Sequence, residues 1–169
     1  MQLLSTGSWG GGINWEIFGS QNMPPAELIT AVFCVAIIEG EVVLARSKRG
    51  WGLLGGHIED NESQKDALVR EAREEGGFTP LEVQMFAYRK VTATKPVQHQ
   101  DASKHYPFPV SYLVYYWATT DRPLIKPVGT EIIEAGSFAL EDIKSLNTPD
   151  LPIVELGYKS YLRHTSPWQ

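Results

Sequence analysis

Residues 56–78 read GHIEDNESQKDALVREAREEGGF, and this stretch decides how the rest of the chain is read. Asn61 is placed to cap a helix, with Gln64 reaching back at the third helical position. No glycine or proline interrupts Ser63 to Glu75, and Gly76-Gly77 ends the run. At about 100° per residue, Glu71, Glu74 and Glu75 fall within about 100° of one another, so three carboxylates share one helix face. Each like-charge pair at such spacing costs roughly 0.2–0.5 kcal/mol in an isolated helix. Arg70 can pair with Glu74 four residues on, but a single guanidinium cannot balance three carboxylates. A divalent cation can. Carboxylate oxygens select hard ions, Mg²⁺ first with Mn²⁺ as a substitute, and such ions are commonly shared with substrate phosphates. Just upstream, Leu54-Gly55-Gly56-His57 allows a tight loop whose backbone carbonyls can approach the same ion.

The segment also satisfies, at every position, the pattern G-x5-E-x7-R-E-U-x-E-E-x-G-U, with U an apolar residue. The matching residues are Gly56, Glu62, Arg70, Glu71, Ala72, Glu74, Glu75, Gly77 and Phe78. Seven fixed residues at an average usage of about one in fifteen would coincide by chance roughly once in 10⁸ starting points. The pattern resembles the signature of the Nudix hydrolases. Flanking features extend the resemblance over most of Leu28 to Leu146, and the proline common before the paired glycines is here Leu54. The resemblance implies an α/β fold, an α/β/α sandwich around a mixed β-sheet. It also implies Mg²⁺-dependent hydrolysis of a phosphoanhydride in a nucleoside diphosphate linked to another moiety, of (d)NTP or nucleotide-sugar type. Carried over residue by residue, Glu71, Glu74, Glu75 and the carbonyl region at Gly56 hold metal, and Glu71, Arg70 and Glu74 form the catalytic set. Glu71 is a ligand or the base, Arg70 orients the carboxylates, and Glu62 supports the loop or a second ion. The general base varies within the family, and Glu131 and Glu134 are the later carboxylates placed for that role or for ligation.

Outward from the motif, Leu28–Ile38 is β-rich, Glu39-Gly40-Glu41 offers a turn and Val42–Arg46 completes a hairpin, with Ser47–Gly50 as a loop. Arg46, Lys48 and Arg49 are candidates to hold phosphate charge at the mouth of the site. Downstream, Leu81–Val91, Val110–Ala118 and Ile132–Phe138 read as strands, Thr92–Tyr106 as a polar loop, and Leu140–Leu146 and Ile153–Arg163 as helices. Residues 1–25, rich in glycine yet carrying Trp9, Trp15 and Phe18, read as a docked arm or hairpin ahead of a single domain over 26–169. Such an arm could also cross to a second subunit of a homodimer.

His105–Ser111, His-Tyr-Pro-Phe-Pro-Val-Ser, is similar to part of the downstream motif of NADH pyrophosphatases, with Ser103 on its first serine. Lys104 and His105 depart from that motif, and a lone cysteine excludes the four-cysteine zinc module of those enzymes. Tyr106, Phe108 and Tyr112 can stack on a base or pack in the core. Cys34 sits in an apolar run and reads as core, while His57, His99, His105 and His164 lack zinc-ligand spacing.

The chain is 169 residues long with a formal net charge of −5. Within residues 56–78, Glu59, Asp60, Glu62, Asp66, Glu71, Glu74 and Glu75 stand against Lys65, Arg70 and Arg73, so this stretch carries −4 of that charge. The balance argues against a grip on a nucleic-acid polymer. No run approaches the length of a membrane span, and no basic-then-apolar leader opens the sequence, so the expectation is a cytoplasmic protein with a small nucleotide substrate. Two other readings compete with the hydrolase. A non-catalytic nucleotide sensor would usually have lost carboxylates of the motif, and isopentenyl diphosphate isomerase would carry a cysteine near the loop. Residues 51–57 contain none.

Overall fold

A computed structural model describes residues 1–97, 106–120 and 131–165. Along these run β1 (Gln2–Gly10), β2 (Ile13–Gly19), β3 (Ile29–Ile38), β4 (Glu41–Ser47), β5 (Gly50–Gly52), β6 (Leu54–His57) and α1 (Gln64–Gly76). Then follow β7 (Glu82–Ala93), β8 (Val110–Thr119), β9 (Ile132–Phe138), α2 (Leu140–Ile143) and α3 (Leu151–Thr165). One mixed sheet has the order β1-β2-β7-β8-β3-β4-β5, with β6 joined to β3 and β9 to β4. Only the β3–β8 pairing is parallel among the described strands. No helix among the described residues is long and apolar enough to cross a membrane.

β3 takes the centre because its sequence, ITAVFCVAII, is apolar at almost every position and can be buried on both faces. The two-residue alternation sorts its side chains into separate layers. Val32, Cys34 and Ala36 pack with Leu54, Val114 and Tyr116 beneath Ala67, Leu68 and Ala72 of α1. Val35 and Ile37 face the other way, with Trp117, against Ile143 of α2 and Ile153 and Val154 of α3. The helices therefore cover opposite faces of the sheet, as the α/β/α expectation requires. Fully burying a side chain such as Leu68 contributes roughly 1.5–3 kcal/mol to holding α1 on its face.

Two local readings are corrected. The stretch before α1 was expected as a loop but is strand β6, which pairs with the first half of β3 from Ala31↔His57 to Cys34↔Leu54, while β4 takes the second half from Ala36↔Val43 to Ile38↔Glu41. Burial of Leu54 and the ladder with β3 outweigh the turn preference of Gly55-Gly56. The cap of α1 is Ser63, not Asn61: Ser63 Oγ accepts from the Asp66 N–H and donates to the Asp66 carboxylate. Asn61 instead takes a left-handed conformation (φ 62°) in the turn before it, and Gln64 accepts from the Tyr116 hydroxyl. The helix ends where Gly77 adopts φ 72°, a conformation glycine takes without a Cβ penalty.

At the other end of the sheet, β1 and β2 form a hairpin, and β2 extends the sheet along β7 from Ile13↔Ala93 to Gly19↔Ala87. The Trp15 indole lies across Gly7, where a side chain would collide with it.

α3 approaches the sheet through Gly157, where a Cβ would stand 2.7 Å from Val35 Cγ2 and 2.8 Å from Phe86 Cζ. Alanine improves helix propensity by about 1 kcal/mol, but overpacking two core side chains costs about 1–3 kcal/mol. Gly157→Ala is therefore expected to lower the urea midpoint with the m-value unchanged. An unaltered or higher midpoint would show that α3 has room to shift.

Candidate active site

The carboxylates of α1 are organised by one side chain. Arg70 Nε and Nη2 donate to the two oxygens of Glu62 at 2.9 and 3.0 Å, a bidentate pair across the turn that precedes the helix. Its Nη1 donates to Glu71 Oε1 at 2.9 Å and to Glu74 Oε2 at 3.4 Å, and Nη2 also donates to the His57 carbonyl oxygen at 3.0 Å. A guanidinium has five N–H donors, and here five acceptors meet them. Glu62 is tied further by the Glu59 N–H at 3.0 Å, so the turn over 58–62 is fastened to the helix at both ends. The side chains of Arg70, Glu62 and Glu71 are 22%, 13% and 11% exposed, so removing one partner leaves charge in a poorly solvated place.

The paired glycines of β6 supply bare backbone beneath these acids. Gly55 sits at φ 141°, where a side chain would also strike the Val32 carbonyl, and its N–H donates to Glu75 Oε2 at 2.7 Å. At Gly56 any Cβ would collide with the Glu71 carboxylate, which is packed directly on the strand.

The charges are unequally compensated. The hydrogen bond from Arg70 holds the Glu62 carboxyl below the usual range. Burial pushes Glu71 up, with Arg70 opposing. Glu75 is pushed up to about 7, first by burial and then by the charges of Glu71, Glu74 and Glu131, against the Gly55 N–H bond. The guanidinium spends its bidentate contact on Glu62, and the helix face is left with more negative charge than Arg70 neutralises. Hard carboxylate donors with uncompensated charge fit a divalent cation. No group of three or more His, Cys, Asp or Glu among the described residues is already gathered as a metal cage.

The remaining sequence candidates divide. Arg46 pairs with Glu134 at 2.6 Å across the β4–β9 ladder and lies 5.8 Å from the Trp51 ring centroid, so these two candidates meet each other rather than the α1 carboxylates. Arg49 and Lys48 occupy the exposed turn between β4 and β5. Glu131 is exposed and contributes to the field at Glu75. The Tyr106 hydroxyl is hydrogen-bonded to His57 Nε2, the rings meeting edge to face. Phe108, half exposed, lines with them a cavity of about 220 Å³. His99, Ser103, Lys104 and His105 lie outside the described residues. A larger groove of about 440 Å³, between the N-terminal hairpin and α3, is lined by none of the α1 carboxylates. His57 had no assigned role in the sequence because what Arg70 uses is its carbonyl, which any residue supplies.

Residues 27–156 match the family model described as NUDIX domain. No curated protein matches the sequence. Similar solved structures include the pyrophosphohydrolase BsRppH of Bacillus subtilis, with 19% identity, TM-score 0.61 and coverage of 87% of this chain and 92% of that one. The NUDIX domain of Shewanella oneidensis NrtR, complexed with ADP ribose, has 18% identity, TM-score 0.57 and coverage of 83% and 94%. The MutT NUDIX hydrolase of Burkholderia pseudomallei has 23% identity, TM-score 0.53 and coverage of 76% and 97%.

The raised Glu75 pKa makes stability depend on pH in a definite direction. Between about 4.5 and about 7 the folded protein holds a proton that the unfolded chain has released, so stability is highest below that window and falls as pH rises through it. The full shift corresponds to roughly 3 kcal/mol, reduced by partial solvent access to about 1–3 kcal/mol. Glu62, shifted the other way, acts only in more acidic solution. Thermal melts of metal-free protein from pH 5 to 8 should show a falling Tm that Glu75→Gln flattens and added Mg²⁺ offsets at pH 8. An equal slope in wild type and variant would sink the assignment.

Proposed function

The chain belongs to the Nudix family, and from that premise we propose that it is a metal-dependent pyrophosphohydrolase. It cleaves a phosphoanhydride in a nucleoside diphosphate linked to another moiety, of (d)NTP or nucleotide-sugar type. The observation that carries this reading is the intact carboxylate set of α1, drawn together by Arg70 over the two glycines of β6. Glu71, Glu74, Glu75 and the Gly56 carbonyl region are the residues that would hold a divalent cation, Mg²⁺ with Mn²⁺ as substitute. When bound, such an ion offsets phosphate-oxygen charge and acidifies water.

The protein's own share of the work is positioning and proton transfer. Arg70 fixes the rotamers of Glu62, Glu71 and Glu74 and ties them to the His57 carbonyl, so the acids enter the reaction already ordered. Of the two later carboxylates, Glu131 is the one we assign to proton acceptance. It adds to the field at Glu75, whereas Glu134 is held by Arg46. Arg49, on its exposed turn, is proposed to meet outlying phosphate charge, and Tyr106 and Phe108 to contact the substrate beyond the phosphates.

Phosphate-coupled hydrolysis with Mg²⁺ over (d)NTPs, oxidised dNTPs, nucleotide sugars, ADP-ribose, NADH and dinucleoside polyphosphates tests the reading. At least one should be cleaved at an internal anhydride, with Glu74→Gln reducing the rate by about 10²-fold or more. Nucleotide binding without cleavage of any member would recast the protein as a nucleotide-binding module.

A further inference from the structure

We propose that the cavity beside His57 receives the base of the nucleotide, and that Trp9 of the N-terminal hairpin and Ser111 of β8 are determinants of which base it accepts. This deepens the hydrolase reading and rests on it.

Placement comes first. His57 belongs to both regions: its carbonyl oxygen is fixed by Arg70 among the α1 carboxylates, while its imidazole lines the cavity and is hydrogen-bonded to the Tyr106 hydroxyl. The two sites therefore share a residue, a fitting arrangement for a ligand with phosphates at one end and a different group at the other.

The lining then selects that group. Around the cavity stand Trp9, Ile13, Val91, Phe108 and Leu113 with Tyr106, and no Asp, Glu, Lys or Arg is among its described lining residues. A phosphate would meet no counter-charge among the described lining residues, and a polyhydroxylated sugar would surrender water hydrogen bonds to apolar walls. A flat, neutral heteroaromatic ring meets neither cost and gains stacking area. At about 220 Å³ the cavity is smaller than the roughly 300–1,000 Å³ of sites for drug-sized ligands, so it takes one ring system rather than a whole dinucleotide.

Polar groups at the lining can supply discrimination. The Thr30 hydroxyl donates to the Tyr112 carbonyl at 3.3 Å and is occupied. Ser111, a residue only 7% exposed, brings a hydroxyl to the lining that can bond a ring edge carrying a donor or acceptor.

One wall comes from outside the family-matched residues 27–156, since Trp9 and Ile13 flank the turn of the β1–β2 hairpin. Trp9 is half exposed yet braced, its ring centroid 6.5 Å from that of Trp15 and 5.3 Å from the Arg89 guanidinium, which also lies 4.9 Å from the Trp15 ring.

The test is titration of the protein, without added divalent cation, with the common nucleoside 5′-monophosphates and with ribose 5-phosphate, followed by the indole N–H resonances. At least one monophosphate should shift the Trp9 resonance and bind at least about tenfold tighter than ribose 5-phosphate. Trp9→Ala and Phe108→Ala should each weaken it about five- to a hundredfold, the range that base–aromatic stacking supports, and raise KM more than they lower kcat. Both side chains are about half exposed, so neither substitution empties the core. Ser111→Ala should change the ranking among bases. Equal binding of monophosphates and ribose 5-phosphate, or variants that bind like wild type, would overturn the proposal. Base binding with no diphosphate hydrolysed would count against the hydrolase alone, and hydrolysis with the same KM for substrates with and without a base would count against the cavity alone.

Discussion

The guanidinium of Arg70 is the point on which the site depends. It joins the turn before α1 through Glu62, the helix through Glu71 and Glu74, and the sheet through the His57 carbonyl. A lysine could keep the charge but not the fork, because a single ammonium cannot span Glu62 bidentately and still reach the other acceptors. Fixing one planar group thus orders three pieces of chain that otherwise repel or drift.

What Arg70 leaves undone is as informative as what it does. Its strongest contact serves Glu62, a structural anchor, while among the described residues Glu75 accepts only from the Gly55 N–H and feels three other carboxylates. The folded chain retains electrostatic strain on one helix face, and the glycines keep side chains from shielding it. Stability is given up at the place where charge is useful, a trade that functional sites commonly make.

Much of this was legible in the sequence because it lies in one continuous segment with fixed spacing. The helix, its glycine stop, the shared carboxylate face and the pairing of Arg70 with Glu74 follow from local spacing, while the orienting role of Arg70 is what the family resemblance implied. β6 was misread because paired glycines ordinarily signal a turn, and only the ladder to β3, set by distant partners, makes them strand. The cap was displaced by two residues because asparagine and serine are both good caps and asparagine also tolerates the left-handed turn it occupies. The Arg46–Glu134 pair was hidden because it exists only through the β4–β9 register, and the Trp9 wall because it depends on how the first hairpin joins β7. Local patterns could be read directly, whereas contacts made by tertiary register could not.

The parallel pairing of β3 with β8 carries a cost for the chain as it is made. Thr30 and Tyr112, linked by a hydrogen bond across it, are 82 positions apart, so the centre of the sheet closes only after a long loop has been brought together. Until β8 emerges, β3 is a ten-residue apolar strand with one side open, already flanked by β4 and β6 on the other. A nascent or truncated chain ending before Val110 therefore offers the geometry that recruits a second chain edge to edge. The strand that gives the finished protein its rigid middle is the aggregation hazard of the unfinished one.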